Sequence, residues 1–284
     1  MKPAASRSVL ITGCSSGIGR CAAEGLKQRG YRVFATARKP ADVRRLTAEG
    51  FESLVLDLTD AGSIAAAAEE IFTRTGNRLY ALFNNGAYGQ PGAVEDLRTE
   101  VLRAQFESNF FGWHELTCRV LPVMRARGEG RIIQNSSVLG FAALKYRGAY
   151  NASKFAIEGL TDTLRQELEG TNIHVSLIEP GPIATRFRQN AYRAFRENID
   201  REGSPHREVY RAVERRLANE DDDTPFTLPP SAVYRKVLHA LESPRPKPRY
   251  YVTVPTYAFG ILKRLLSSRM MDRVLAASAG AGDR

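Results

Sequence analysis

The chain has 284 residues and a formal net charge of +10, with 43% of residues hydrophobic and 25% charged. That length buries one large core, no Pro/Gly/Ser-rich linker divides it, and a single domain over residues 1–284 is expected. Three cysteines (Cys14, Cys21, Cys118) exclude a disulfide framework and suit a reducing cytosol, while four histidines without metal-ligand spacing argue against a metal site.

Ser8-Val9-Leu10-Ile11-Thr12 reads as a short buried strand and Arg20–Lys27 as a helix, with Gly13-Cys14-Ser15-Ser16-Gly17-Ile18-Gly19 between them. A glycine turn in this position lets backbone N–H groups and the helix N-terminus face a pyrophosphate. Its G-x-x-x-G-x-G spacing departs from the usual dinucleotide fingerprint, and an ordinary Gly-rich turn is the plainer alternative. A second strand, Arg32–Ala37, ends at Arg38-Lys39 with no carboxylate. In a dinucleotide fold an acid there binds a free ribose 2′-hydroxyl and an arginine accommodates a 2′-phosphate, which points to NADP(H). The alternative is that Arg38 and Lys39 only begin a solvated loop.

Further strands are expected at Ser53–Asp57, Tyr80–Asn84, Arg131–Ser136, His174–Glu179 and Tyr250–Val254. Helices are expected at Ala41–Ala48, Asp60–Thr75, Glu100–Arg125, Gly148–Glu169 and Ser231–Leu241. Apolar strands alternating with helices predict an α/β, doubly wound parallel sheet with helices on both faces. Ligands then sit beyond the carboxyl ends of the strands, where Gly13, Arg38, Asp57, Asn85, Ser137 and Pro180 fall.

On the helix predicted from Gly148, Tyr150 and Lys154 are four residues apart and share a face; Ser137 lies thirteen residues before Tyr150. A phenol of pKa near ~10 is a poor acid, and a neighbouring ammonium favours its phenolate. Such a pair makes an acid/base from tyrosine, although most Tyr-x-x-x-Lys pairs are solvated helix surface.

Together these segments resemble the short-chain dehydrogenase/reductase family, and the amphipathic helix at Tyr257–Ala277 resembles the hydroxysteroid/retinol dehydrogenase-like branch within it. The family resemblance runs from about residue 8 to about 187. It rests on Thr12–Gly19, Asp57-Leu58, Asn84-Asn85-Gly86-Ala87, Asn109, Ser137, Tyr150, Lys154 and Pro180-Gly181-Pro182-Ile183-Ala184-Thr185. One departure is the Gly86-Ala87 order where the family has alanine before glycine; a local backbone adjustment is expected there. The resemblance implies a Rossmann-type fold in which Tyr150 is the acid/base and Lys154 lowers its pKa and holds the nicotinamide ribose. It further implies that Ser137 donates to the substrate oxygen and Asn109 anchors Lys154 through a water. For NADP(H) it implies contacts from Gly13, Ser15, Ser16, Gly17, Ile18, Gly19, Arg38, Asp57, Leu58, Asn85, Gly86, Pro180, Gly181, Ile183 and Thr185. Simpler roles stand beside these: Asn109 interrupting a helix, Ser136 in place of Ser137, Tyr146 as a pocket wall, Thr185 as a helix cap.

Residues 186–230 are charge-rich, with the acidic run Glu220-Asp221-Asp222-Asp223, and in the family this position holds a substrate lid. Tyr192, Phe195, Ile199 and Tyr210 either floor an apolar pocket or pack that lid on the body. Residues 255–284 form a C-terminal helical extension whose Tyr257–Ala277 reads as one basic amphipathic helix. It can lie on an anionic membrane, cover the pocket, form a subunit contact, or simply pack on the domain. The expected substrate is an apolar aldehyde or ketone, or the matching alcohol, with a 3-oxoacyl thioester or a non-catalytic NADP sensor as alternatives. A homodimer and no nucleic-acid partner are expected. With no targeting segment before the first strand and no run of about 18 apolar residues, the location is expected to be cytoplasmic, with peripheral membrane contact through the extension.

Overall fold

The computed structural model describes residues 7–218 and 224–280. Seven parallel strands form one sheet in the order β3-β2-β1-β4-β5-β6-β7. They are β1 Ser8–Ile11, β2 Arg32–Ala37, β3 Glu52–Val55, β4 Leu79–Asn84, β5 Gly130–Asn135, β6 Ile173–Glu179 and β7 Arg249–Tyr251. All four residues of β1 and all six of β4 and of β5 are buried, as in a sheet covered on both faces, although β5 carries Arg131, Gln134 and Asn135 inside. Strand order reverses between β1 and β4, and this opens a crevice at their carboxyl ends.

The covering helices are α1 Gly17–Gln28, α2 Pro40–Ala48, α3 Ala61–Thr75, α4 Thr99–Phe106, α5 Gly112–Arg127, α6 Gly148–Glu167, α7 Phe187–Asn198, α8 Arg207–Ala218, α9 Ser231–Glu242, α10 Val254–Leu265 and α11 Ser268–Gly280. On one face Ala22, Ala23 and Leu26 of α1 and Val233, Val237 and Leu241 of α9 pack on Val9, Ile11 and Phe83. On the other, Ile64 and Ile71 of α3, Trp113 and Leu116 of α5 and Ile157 of α6 pack on Leu10, Leu82 and Ile132. The termini of α3 illustrate local control. Asp60 Oδ1 accepts from the amides of Gly62 (2.8 Å) and Ser63 (3.2 Å), and Gly76 ends the helix in the left-handed region.

Two expected helices are not continuous. The span Glu100–Arg125 is α4 and α5 joined by a π-helical turn, Glu107–Phe111, whose Asn109 is fully buried. Such turns add a residue to the helix and rotate a side chain inward. The C-terminal span divides at Leu266, whose extended backbone (φ −95°, ψ 145°) redirects the chain into α11. Met271 and Leu275 of α11 then pack on Val138 and Ala142, joined by Phe259, Leu262 and Leu266. The extension therefore covers the segment that follows β5. Its single-helix reading fails because amphipathic spacing is the same for one helix and for two folded against each other.

Within 186–230 the chain forms α7 and α8. Phe195, Ile199 and Tyr210 are buried with Ala93, Val213 and Leu217 in a separate cluster, so three of the four candidate floor residues pack this segment on the body; Tyr192 lies at its edge. Tyr146, expected as a pocket wall, stacks edge-on against His206 (5.5 Å) and Tyr210 (6.2 Å) in the same region. The acidic run Glu220–Asp223 lies outside the described residues.

Candidate active site

The carboxyl ends of β1, β4 and β5 are laced together by short polar side chains. Thr12 Oγ1 accepts from the amides of Asn85 and Gly86, both at 2.8 Å. Asn85 Nδ2 donates to the Thr12 carbonyl (2.9 Å), and its Oδ1 accepts from Asn135 Nδ2 (2.9 Å). These bonds hold the glycine turn against the strand after β4. Gly13 (φ +72°) lies so close that a Cβ there would be 2.6 Å from Gly86 Cα. A Cβ on Gly19 would be 2.4 Å from the Gly13 carbonyl oxygen, so α1 enters flush against the turn.

Ser15, Ser16, Gly17 and Ile18 remain partly exposed around the α1 N-terminus. Unpaired first-turn amides at such an end attract anionic phosphate. The cradle thus fits a dinucleotide: the α1 N-terminus, with Ser15–Ile18 partly exposed, opens on the crevice at the carboxyl ends of β1 and β4. Cys14, by contrast, is inert. Its thiol donates to the Ile11 carbonyl and burial pushes it up to about 12.

Other expected cofactor residues border the same crevice. Arg38 and Lys39 are exposed at the end of β2. Asp57 follows β3 and accepts from the Thr59 amide (3.0 Å) and hydroxyl (2.8 Å), with Leu58 buried beside it. After β6 the Pro180 carbonyl accepts from the Val138 amide (2.8 Å), and Gly181 presses on Thr253, where a Cβ would meet Oγ1 at 2.1 Å. Ile183 bridges to Leu228. Thr185 accepts from the Phe187 amide at the start of α7, and its methyl would lie 3.0 Å from a Cβ on Gly17. The loop after β6 therefore crosses the glycine turn, and Thr185 is both helix starter and crevice wall.

Tyr150 and Lys154 stand one turn apart in the first part of α6, and both are buried. Burial pushes the Tyr150 phenol up to about 12, against a hydrogen bond with Ser137 that pulls it down. Burial likewise pushes Lys154 down to about 7, against the Glu158 carboxylate one turn on, which raises it. The Lys154 ammonium donates to the Asn135 carbonyl at 2.7 Å. At neutral pH the phenol therefore holds its proton and the lysine is poised between charged and neutral.

Ser137 and Ser136 part company. Ser137 is within reach of Tyr150, whereas Ser136 lies beside Glu158: a Cβ on Gly140 would meet Ser136 Oγ at 2.6 Å and Glu158 Oε1 at 2.8 Å. Asn109 does interrupt a helix, and its side chain then clamps Tyr88, accepting from the Tyr88 amide (3.2 Å) and donating to its carbonyl (2.9 Å). It also donates to Ser153 Oγ (3.3 Å), the neighbour of Lys154. The direct anchor of the ammonium is Asn135, which the motif reading passed over although it lies two residues before Ser137. Phe187 was also missed. Its ring meets Tyr150 edge-on at 5.3 Å. Being the first residue of α7, it carried no periodic signal.

Behind the pair lies a partly buried ionic cluster. Arg249 of β7 bonds Glu158, Glu179 (2.7 Å) and Asp162 (2.6 Å). Glu179 is fully buried; desolvation first, then the adjacent Glu158 charge, push it up to about 8.

The family model for short chain dehydrogenases matches residues 7–195. An uncharacterized oxidoreductase of Escherichia coli, YbbO, is 45% identical over 95% of this chain and 94% of its own. An NADPH-dependent 3-dehydrocapnine reductase of Ornithobacterium rhinotracheale is 32% identical over 94% and 95%. A 17-beta-hydroxysteroid dehydrogenase type 6 of Mus musculus is 32% identical over 96% and 88%. With a serine, tyrosine and lysine gathered beside a glycine cradle on a sheet of this topology, the chain belongs to the short-chain dehydrogenase family of nicotinamide-dependent oxidoreductases, near its hydroxysteroid dehydrogenase-like members.

Proposed function

We propose that this protein is an NADP(H)-dependent oxidoreductase that interconverts an apolar aldehyde or ketone and its alcohol. The observation that carries the reading is the convergence of Ser137, Tyr150 and Lys154 at the mouth of the glycine cradle, with the phenol protonated and walled by Phe187. The bound cofactor supplies or accepts the hydride at the substrate carbon. Negative charge then grows on the substrate oxygen. The Ser137 hydroxyl donates to it, and the Tyr150 phenol delivers the proton. Charged Lys154 favours the phenolate left behind, and the Asn135 carbonyl holds the ammonium in place.

Preference for NADP(H) is supported by Arg38 and Lys39, exposed at the end of β2 where no carboxylate would repel a 2′-phosphate. The NADPH named for the 3-dehydrocapnine reductase agrees. An apolar substrate is supported by Phe187 against Tyr150 and by the apolar cover of α10 and α11 on Val138–Leu144. The hydroxysteroid named for the mouse relative agrees. α7 and α8 act as the substrate lid in this reading, and α10 and α11 as an extension that roofs the pocket.

On the outer face of α10, Tyr257, Ile261 and Leu265 are exposed at four-residue spacing, with exposed Arg264 and Arg269 nearby; Lys263 instead points to the body, donating to the Phe141 carbonyl. This apolar, basic face fits an anionic lipid surface. No helix among the described residues is long and apolar enough to cross a membrane.

The test is NADPH oxidation against retinal, medium-chain aldehydes, steroid ketones and acetoacetyl thioesters, with NADH and Tyr150→Phe in parallel. Turnover of an apolar carbonyl that needs NADPH and falls at least ~100-fold in Tyr150→Phe is expected. Equal use of NADH would remove the cofactor assignment, and preference for the thioester would replace the substrate class. Tight NADPH binding without any turnover would make the protein a sensor.

A further inference from the structure

The chain has one tryptophan, Trp113, on the first turn of α5 and fully buried. Its indole N–H donates to the Gly86 carbonyl at 2.8 Å. Its ring lies against the Lys154 ammonium, with Nζ 4.3 Å from the ring centroid. One side chain therefore touches both the backbone of the glycine cradle's partner segment and the cation beside Tyr150. Nothing in the motif pattern assigns it a role.

An ammonium has three donors. Among the described residues that of Lys154 makes one hydrogen bond, to Asn135, and only 1% of the residue is exposed. Water therefore does little to stabilise its charge. A π face at this distance does, because the ring quadrupole is negative above and below the plane and the contact is desolvated. We propose that Trp113 is a positioning residue for the Tyr150–Lys154 pair: its indole face stabilises the charged form of Lys154, and its N–H fixes that face to Gly86. The proposal rests on the acid/base reading of Tyr150 and Lys154 given above.

The other groups acting on the ammonium are few. On α6 they are Tyr150, whose ring centroid is 5.6 Å away, and Glu158, which favours the charge. Asn135 faces it from β5, while Glu179 of β6, Arg249 of β7 and Asp162 of α6 act through Glu158. Because burial has already brought Lys154 down to about 7, a modest stabilisation decides how much of it is charged at working pH. The ring contact is worth a shift of about 0.5–1.5 pH units in that equilibrium.

A single tryptophan makes the contact directly visible, since the indole emission of the protein comes from Trp113 alone. In the wild-type protein without substrate, the emission should move in one step as pH carries Lys154 between its two forms, and Lys154→Met should abolish that step. Glu179→Gln, run beside it, separates any contribution of the carboxyl pair. In the reductase assay, Trp113→Leu should move the alkaline limb of kcat/KM to lower pH by about one unit, and Trp113→Phe, which keeps a π face, should restore most of it. An emission step unchanged in Lys154→Met would overturn the proposal. So would folded Leu and Phe variants, checked by circular dichroism, that share the wild-type pH profile, since the indole would then only fill space. If the wild-type protein reduces no carbonyl, the proposed function fails, yet the emission titration still decides for or against the contact.

Discussion

Glycines show how finely single residues set this site. Gly19 has no room for a methyl group, which would meet the Gly13 carbonyl at 2.4 Å and Asn85 Nδ2 at 2.6 Å. Gly19→Ala must therefore push α1 off the turn. A loss of about 1–3 kcal/mol in stability and at least a tenfold weaker NADPH affinity are expected, read by thermal melting and by cofactor titration. Gly159 on α6 is the internal control, since a Cβ there meets nothing within 4 Å. Gly159→Ala should raise stability by about 0.5–1 kcal/mol and leave cofactor affinity alone. The exchanged Gly86-Ala87 order obeys the same geometry. A Cβ on Gly86 would meet Leu58 Cδ1 at 3.1 Å and the Gly13 nitrogen at 3.3 Å, a fit that is tight rather than impossible. Either order can thus pass under the glycine turn with a small adjustment.

At the scale of elements, two helical spans change course, and each change redirects side chains. The π-helical turn between α4 and α5 turns Asn109 into the protein, where it clamps Tyr88 and touches Ser153. The break at Leu266 lets α11 fold over Val138–Ala142 while one face of α10 stays outside. Leu265 is 75% exposed and Ile261 58%, so the outward stripe contributes little to the core. If it docks on lipid, replacing both residues by aspartate should reduce sedimentation with phosphatidylserine vesicles at least tenfold while changing melting temperature little. Unchanged vesicle binding by the double variant would refute the lipid contact. Buried Leu275 of α11 makes the contrast: Leu275→Ala should destabilise the roof without weakening a membrane contact made by α10.

For the whole molecule, buried ionisable groups couple folding to pH. Burial first, then the adjacent Glu158 charge, push the Glu179 carboxyl of the folded protein up from its ordinary 4.5 to about 8. The folded state therefore keeps a proton that the unfolded chain releases, so this contribution is complete below about 4.5 and is lost as pH rises through about 8. Lys154 acts in the opposite sense. Lowered from 10.5 to about 7, it adds stability as pH rises across that higher window. Melting temperature should accordingly fall between about pH 5 and pH 7 in the wild-type protein, below the window where Lys154 opposes the loss, and Glu179→Gln should flatten the slope. At roughly 2–4 °C per kcal/mol the difference is measurable by calorimetry; an identical slope in the variant would show that the carboxyl pair does not carry it.

The sequence by itself determined the alternating α/β architecture, because short, largely apolar strands of three to seven residues and amphipathic helices are written in local spacing. It also placed the glycine turn, Ser137 and the Tyr150–Lys154 face, since strand ends and an i, i+4 relation are short-range geometry. Only the tertiary structure decided what surrounds them. That Trp113 meets Lys154, that Asn135 holds the ammonium, and that Phe187 meets Tyr150 depend on contacts across tens of residues of sequence. The same holds for Phe195 and Tyr210, which floor a cluster beneath the 186–230 segment, and for α11, which turns back over the end of β5. Side-chain period fixes which face of an element is apolar; it cannot say which other element that face will meet, because that is settled by the simultaneous packing of all of them.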